Sequence, residues 1–256
     1  MRKTRLIIII SFAFFSSIYS QKELFQKKEF IYKGDTLKYR VLFPDNYDKS
    51  QKYPLVLFLH GAGERGNDNE KQLVHGSAQF LDVQNRKQYP SIVIFPQCPD
   101  NEYWVNLNKQ AKERISFLEA PEISKPLFLV KKLTDTYKKT EAVDEDRMYV
   151  IGLSMGGMGT FDLICRYPNY FAAAMPICGG VYEPRLKKAT KIPMRIFHGT
   201  ADDIVKVDLS KNAYQTLMTL GAKNVELILF EGVNHNSWDP AFAYNGFLSW
   251  MYNQTK

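Results

Sequence analysis

Cysteine is scarce in this chain: 256 residues contain three, Cys98, Cys165 and Cys178. So few, and an odd number, exclude a disulfide framework and allow at most one internal bridge. We read all three as buried free thiols. A large excess of one charge is also missing. The formal charge is +7, and removal of a leader carrying Arg2, Lys3 and Arg5 would lower it to +4, too little to argue for nucleic acid as a partner. Metal spacings such as H-E-x-x-H are absent, and we read the phosphate-cradling and dinucleotide glycine patterns as absent too, so no cofactor or metal is implied. Internal repeats, low-complexity tracts and domain linkers are not found.

What is present is ordinary globular usage. At 45% hydrophobic and 24% charged residues, the composition argues against disordered, collagenous and coiled-coil classes. The first twenty residues, MRKTRLIIIISFAFFSSIYS, begin basic, run apolar from Leu6 to about Phe15 and end in small polar residues. That is the pattern of a secretory signal peptide cleaved after Ser20, before Gln21. The apolar run is about half the roughly 20 residues a membrane span needs, so no stable membrane anchor is expected. The expected organisation is therefore a signal peptide over 1–20 and one catalytic domain over 21–256, in a periplasmic or extracellular setting.

Along that domain, EFIYKGDTLKYRVLFP reads as an antiparallel hairpin turning at Gly34 and Asp35. Continuous apolar runs follow at 53–60, 90–96, 147–153, 171–178, 193–198 and 224–230. Runs without alternation suit strands buried on both faces, hence a parallel sheet between helices. Leu127, Val130, Leu133 and Tyr137 fall at helical spacing, Asp208 is placed as the cap of a helix stopping at Gly221, and Asp239–Pro240 as the start of a last helix carrying Tyr244, Phe247, Leu248 and Met251. The fold expected is a doubly wound, mostly parallel α/β sheet with an N-terminal antiparallel hairpin. Two irregular stretches, 62–89 and 97–123, leave strand C-termini and are expected to shape the binding crevice.

Within this frame, Gly152-Leu153-Ser154-Met155-Gly156 spells G-x-S-x-G between a predicted strand and a predicted helix. A serine on such a turn is exposed on strained backbone and needs tiny neighbours. Its hydroxyl is a weak nucleophile without a base. In turn enzymes of this kind the order is Ser, acid, His, which removes His60 and His75. His198 ends a strand and precedes the best acid candidates, leaving His235 as the base. The acid lies in HGTADDIV, where Asp202 and Asp203 compete. For an oxyanion hole the Met155 amide is one donor, and the glycine-rich loop after LVLFL offers another, with Ala62 preferred over Gly63.

The ordered motifs HGAGERG, PQCP followed by Trp104, GLSMGG, HGTADDIV and VNHNSWDP resemble a secreted α/β-hydrolase, specifically the esterase group described as predicted peptidases, similar to feruloyl esterases and polyhydroxybutyrate depolymerases. The resemblance spans roughly residues 35–252. It implies the α/β-hydrolase fold, Ser154 as nucleophile, His235 as base and, through the pattern H-G-x-x-D-x-x-V with Val205 setting the register, Asp202 as acid. The expected activity is serine carboxylic-ester hydrolysis through an acyl-enzyme on a small-molecule or polysaccharide ester, feruloyl or acetyl, with Trp104 and Trp238 as candidate substrate-binding residues. A serine peptidase of the same fold and a non-catalytic polysaccharide-binding module are the alternatives. The first would need a gating domain for which 236 residues leave no room, the second a lost triad member.

Overall fold

The computed structural model describes residues 22–108, 110–111 and 115–256; the expected signal peptide lies outside them. Strands β1 (Gln26–Tyr32) and β2 (Asp35–Leu42) form the hairpin, joined by Lys33 and Gly34, both at positive φ (52° and 87°), the geometry a two-residue primed turn requires. After them come β3 (Tyr53–Leu59), helices α1 (Ser77–Leu81) and α2 (Val83–Gln88), β4 (Ile92–Pro96), α3 (Lys125–Thr140), β5 (Val143–Leu153) and α4 (Met155–Arg166). The chain ends through β6 (Ala173–Ile177), β7 (Met194–Gly199), α5 (Asp208–Thr219), β8 (Val225–Phe230), α6 (Trp238–Phe242) and α7 (Phe247–Tyr252).

All eight strands join one sheet in the order β1-β2-β4-β3-β5-β6-β7-β8. Pairs β1/β2 and β2/β4 are antiparallel and the rest parallel, as expected for an α/β-hydrolase sheet with an antiparallel N-terminal edge. Side chains of β3 divide the core. Leu55, Leu57 and Leu59 face a cluster with α3, α4 and α5, whereas Val56 and Phe58 face one with α1 and α7. Burial on both faces is why the central strands read as unbroken apolar runs. The edge strand β8 is instead mostly half-exposed.

Some boundaries differ from expectation. The segment 62–89 is not wholly irregular, since α1 and α2 fall inside it. Asp208 is the first residue of α5 and caps nothing; Val207 is the cap residue, with no side-chain bond. The last helix is two, broken where Gly246 takes φ 79°, a conformation a helix interior does not permit. The loop after β3 is held down by Arg40, which is fully buried and donates to Asn69 O, Phe25 O and the Glu70 carboxylate.

Candidate active site

Ser154 sits alone between β5 and α4 at φ 54°, ψ −117°, a region that costs an L-residue of order 1–3 kcal/mol and persists only where surroundings enforce it. Enforcement comes from both sides. The Ser154 amide donates to Ile177 O on β6 at 2.8 Å, and its carbonyl accepts the Met158 amide at 3.0 Å. Gly152 and Gly156 make the turn possible: a Cβ on the first would run into the Gly156 carbonyl, and one on the second into the Leu59 carbonyl.

From this turn a line of hydrogen bonds crosses the C-terminal edge of the sheet. Ser154 Oγ lies 2.9 Å from His235 Nε2, and His235 Nδ1 lies 2.8 Å from Asp202 Oδ2. The other oxygen of Asp202 accepts the Ile204 and Val205 amides, both at 2.9 Å. Burial alone would raise the Asp202 pKa, but bonds from His198, His235 and the Val205 amide outweigh it and hold the carboxyl well below the usual carboxylate range. An ionised carboxylate there accepts a hydrogen bond from the Nδ1–H of His235, which keeps the proton on Nδ1 and leaves Nε2 free to accept from the serine hydroxyl. Asp203, the other candidate, is exposed, and its amide donates to Asn234 Oδ1.

His198 also reaches this carboxylate. Fully buried, it places Nε2 2.8 Å from Val205 O and 3.2 Å from Asp202 Oδ2, with Nδ1 2.7 Å from Ser210 Oγ. Sequence order had excluded it as the base, and nothing in the pattern indicated that it would support the acid. His60 is a second histidine whose use was not foreseen. Burial pushes its pKa down to about 4, so the neutral ring donates from Nδ1 to Gly61 O at 2.6 Å and accepts the Cys98 amide at Nε2 at 2.9 Å.

That ring fixes the loop carrying Ala62. The Ala62 and Met155 amides open a 3₁₀ turn and α4 respectively, positions that have no partner within their own helices. Arg65 holds the turn by donating from Nε to Ala62 O at 2.9 Å, and its guanidinium lies 4.4 Å over the Tyr103 ring. Two expectations are corrected at this loop. Gly61, Gly63 and Gly66 do spell G-x-G-x-x-G directly after β3, but the spacing leads into a three-residue 3₁₀ turn, not the longer helix whose N-terminus would receive a pyrophosphate. Trp104 is 0% exposed and donates from Nε1 to His60 O at 3.0 Å. It braces the loop from inside and cannot touch a substrate.

Its neighbours line the cleft instead. A cleft of about 380 Å³ opens at Ser154, lined by the apolar side chains of Tyr103, Val105, Leu107, Ile115, Met158, Ile204 and Val205 and by Asn101, Glu102, Asn106 and Asn108, with Ala62 and Met155 beside the serine. Both irregular stretches contribute, as expected, although most of the wall comes from 101–115. Trp238 lies elsewhere, half-buried, its ring edge-on to His235 at 5.5 Å between centroids. Cys178 completes the underside. All three cysteines are buried and free, and Cys178 Sγ lies within 4.8 Å of ligand atoms of Asp202 and His235. Burial lifts this thiol to about 12, which leaves it protonated at neutral pH.

A serine, a histidine and a carboxylate hydrogen-bonded in this order, beside two amides without partners in their own helices and a largely apolar cleft, can carry out acyl transfer. The profile of a family described as phospholipase/carboxylesterase matches residues 46–244. Among curated relatives, poly(3-hydroxyalkanoate) depolymerase C of Paucimonas lemoignei is 41% identical over 133 residues, 51% of this chain and 28% of the depolymerase. A probable feruloyl esterase C of Aspergillus oryzae is 24% identical over 180 residues, 70% of this chain and 59% of the esterase. The chain thus spans less than two thirds of either protein. A solved structure described as a thermostable esterase superposes with a TM-score of 0.83 at 33% identity, covering 91% of this chain and 64% of that one.

Proposed function

The chain belongs to the phospholipase/carboxylesterase family, and we propose that it is a secreted serine hydrolase that cleaves carboxylic esters through an acyl-enzyme. The substrates proposed are feruloyl or acetyl groups esterified to polysaccharide. Ser154 Oγ attacks the ester carbonyl while His235 Nε2 takes its proton. Asp202 holds the imidazole in the required tautomer and stabilises the imidazolium that forms. Charge developing on the carbonyl oxygen is met by the Met155 and Ala62 amides, a kind of contact worth about 10²–10³ in turnover per donor. His235 then returns the proton to the departing alkoxide, and water repeats the sequence on the acyl-enzyme.

The observation that carries this reading is the unbroken line Ser154–His235–Asp202, bonded at 2.9 and 2.8 Å, on a turn strained to present the serine. The largely apolar lining of the cleft supports an acyl group with aromatic or aliphatic character. Support for secretion comes from residues 1–20, and among the described residues no helix is long and apolar enough to cross a membrane. The test is a panel of methyl ferulate, acetylated xylan and p-nitrophenyl esters beside peptide amides. Ester turnover with inert amides is expected. Faster cleavage of the amides would replace the esterase with a peptidase, and inertness toward every member would remove the catalytic reading.

A further inference from the structure

The proton that leaves His235 Nε2 must reach the alkoxy oxygen as the bond from that oxygen to the acyl carbon breaks and its electron pair stays with the oxygen. The alcohol half of the ester therefore passes over the imidazole, away from the acyl cleft. On that side Trp238, a candidate substrate-binding residue that lies outside the acyl cleft, belongs to a cluster with two residues that have no role so far. Trp238 stands between two histidine rings, with His235 at 5.5 Å and His75 at 5.1 Å between centroids. Beyond His75 lies the Glu64 carboxylate, Oε1 to Nε2 3.7 Å. Glu64 is also close to the nucleophile, because a Cβ built on Gly61 would lie 3.0 Å from Glu64 Oε2 and 3.6 Å from Ser154 Cβ.

Two features mark this cluster as a receptor for something polar. The Glu64 side chain is only 13% exposed, yet among the described residues its carboxylate accepts no hydrogen bond. A mostly buried carboxylate is normally paired or hydrogen-bonded. The His75 ring, 30% exposed, makes no hydrogen bond among them either. At 3.7 Å the two are within ion-pair reach when His75 is protonated but too far apart for a hydrogen bond, so a carboxylate and an imidazole that make no hydrogen bond among the described residues lie side by side next to a half-exposed indole.

We propose that Glu64, His75 and Trp238 form the subsite for the departing alcohol, and that the alcohol it takes is a sugar. The inference rests on the ester-hydrolase reading and assigns residues to the sugar half of the substrate, which the acyl cleft does not hold. Neighbouring hydroxyls of a sugar ring offer a donor and an acceptor at the spacing of two adjacent side chains. The carboxylate accepts from one and the imidazole bonds the other. The ring's C–H face lies on the indole, whose flat apolar surface suits it. A simple alkyl alcohol would offer neither group a second hydrogen-bond partner.

The test holds the acid constant and changes the alcohol, comparing methyl acetate, acetylated methyl xyloside and acetylcholine on wild type, Glu64→Gln and His75→Asn. Wild type should favour the xyloside ester over methyl acetate in kcat/KM. In each variant that ratio should fall by about tenfold, the worth of one hydrogen bond to a charged or polar partner. Methyl xyloside alone should inhibit wild type competitively and Glu64→Gln much more weakly. Equal losses on both esters in the variants, or no preference in wild type, would overturn the subsite while leaving the esterase intact. A preference for acetylcholine that Glu64→Gln abolishes would overturn the sugar in favour of a cation. Methyl acetate inert to wild type, with every other ester inert as well, would sink the ester reading and this inference with it.

Discussion

His198 places Nε2 3.2 Å from Oδ2 of Asp202, the same oxygen that holds His235. Because Val205 O lies 2.8 Å from that nitrogen as well, Nε2 faces two acceptors and carries the proton. Its N–H fixes the carboxylate from behind, at a point no substrate reaches. Replacing His198 with Phe, which keeps a ring and removes the donor, should lower kcat by roughly ten- to a hundredfold, as expected for loss of a hydrogen bond to a charged group of roughly 1.5–3 kcal/mol, with KM little changed. A folded variant with unaltered kcat would show that the contact is only packing.

The two adjacent aspartates should behave very differently. Asp202 accepts from the Ile204 and Val205 amides and faces both histidines; Asp203 is exposed. Asp202→Asn keeps the shape but can present an amide N–H₂ to His235, and the corresponding change in a serine protease costs about 10⁴ in turnover. Asp203→Asn should change turnover less than about twofold. Ester kinetics on the two purified variants at pH 8 would show it, and equal losses would mean that the acid has been misassigned.

Stability should fall on mild acidification because of His60. Its folded-state pKa, about 4, lies below the ordinary 6.5, so the unfolded chain binds more protons between those values. The stabilisation is complete above about pH 6.5 and is lost as pH falls towards 4, a difference of roughly 3 kcal/mol. Urea unfolding of wild type and His60→Gln at pH 7 and pH 4.5 would measure it. The variant should be less stable at pH 7 and show a shallower decline; parallel declines would remove His60 as the cause.

Much of this was legible in the sequence. The hairpin, the six later strands and the nucleophile turn all announce themselves through local chemistry, apolar runs and small residues where a Cβ would collide. His235 emerged by elimination, and His198 was set aside by the same reasoning, because chain order says which residue can serve as base but not which buried ring will support the acid. Trp104 was misplaced for a related reason. An aromatic in a long loop resembles a pocket wall, and only the fold shows its indole turned inward onto His60 O. Glu64 and His75 carried no signal, being eleven positions apart in one irregular loop and brought together by how that loop is pinned at Arg40 and His60. The break at Gly246 was visible as a residue but not as a φ value.

The central claim is that Ser154 is the nucleophile, and its most direct measurement is covalent. Wild type treated with a fluorophosphonate should gain one adduct by intact-mass spectrometry, mapping to the peptide that carries Ser154, and should lose ester turnover in proportion. Ser154→Ala should gain none, remain folded by circular dichroism, and retain on the order of 10⁻⁶ of wild-type turnover, as when a triad serine is removed elsewhere. A labelled Ser154→Ala protein, or one keeping more than a small percentage of activity, would contradict the account.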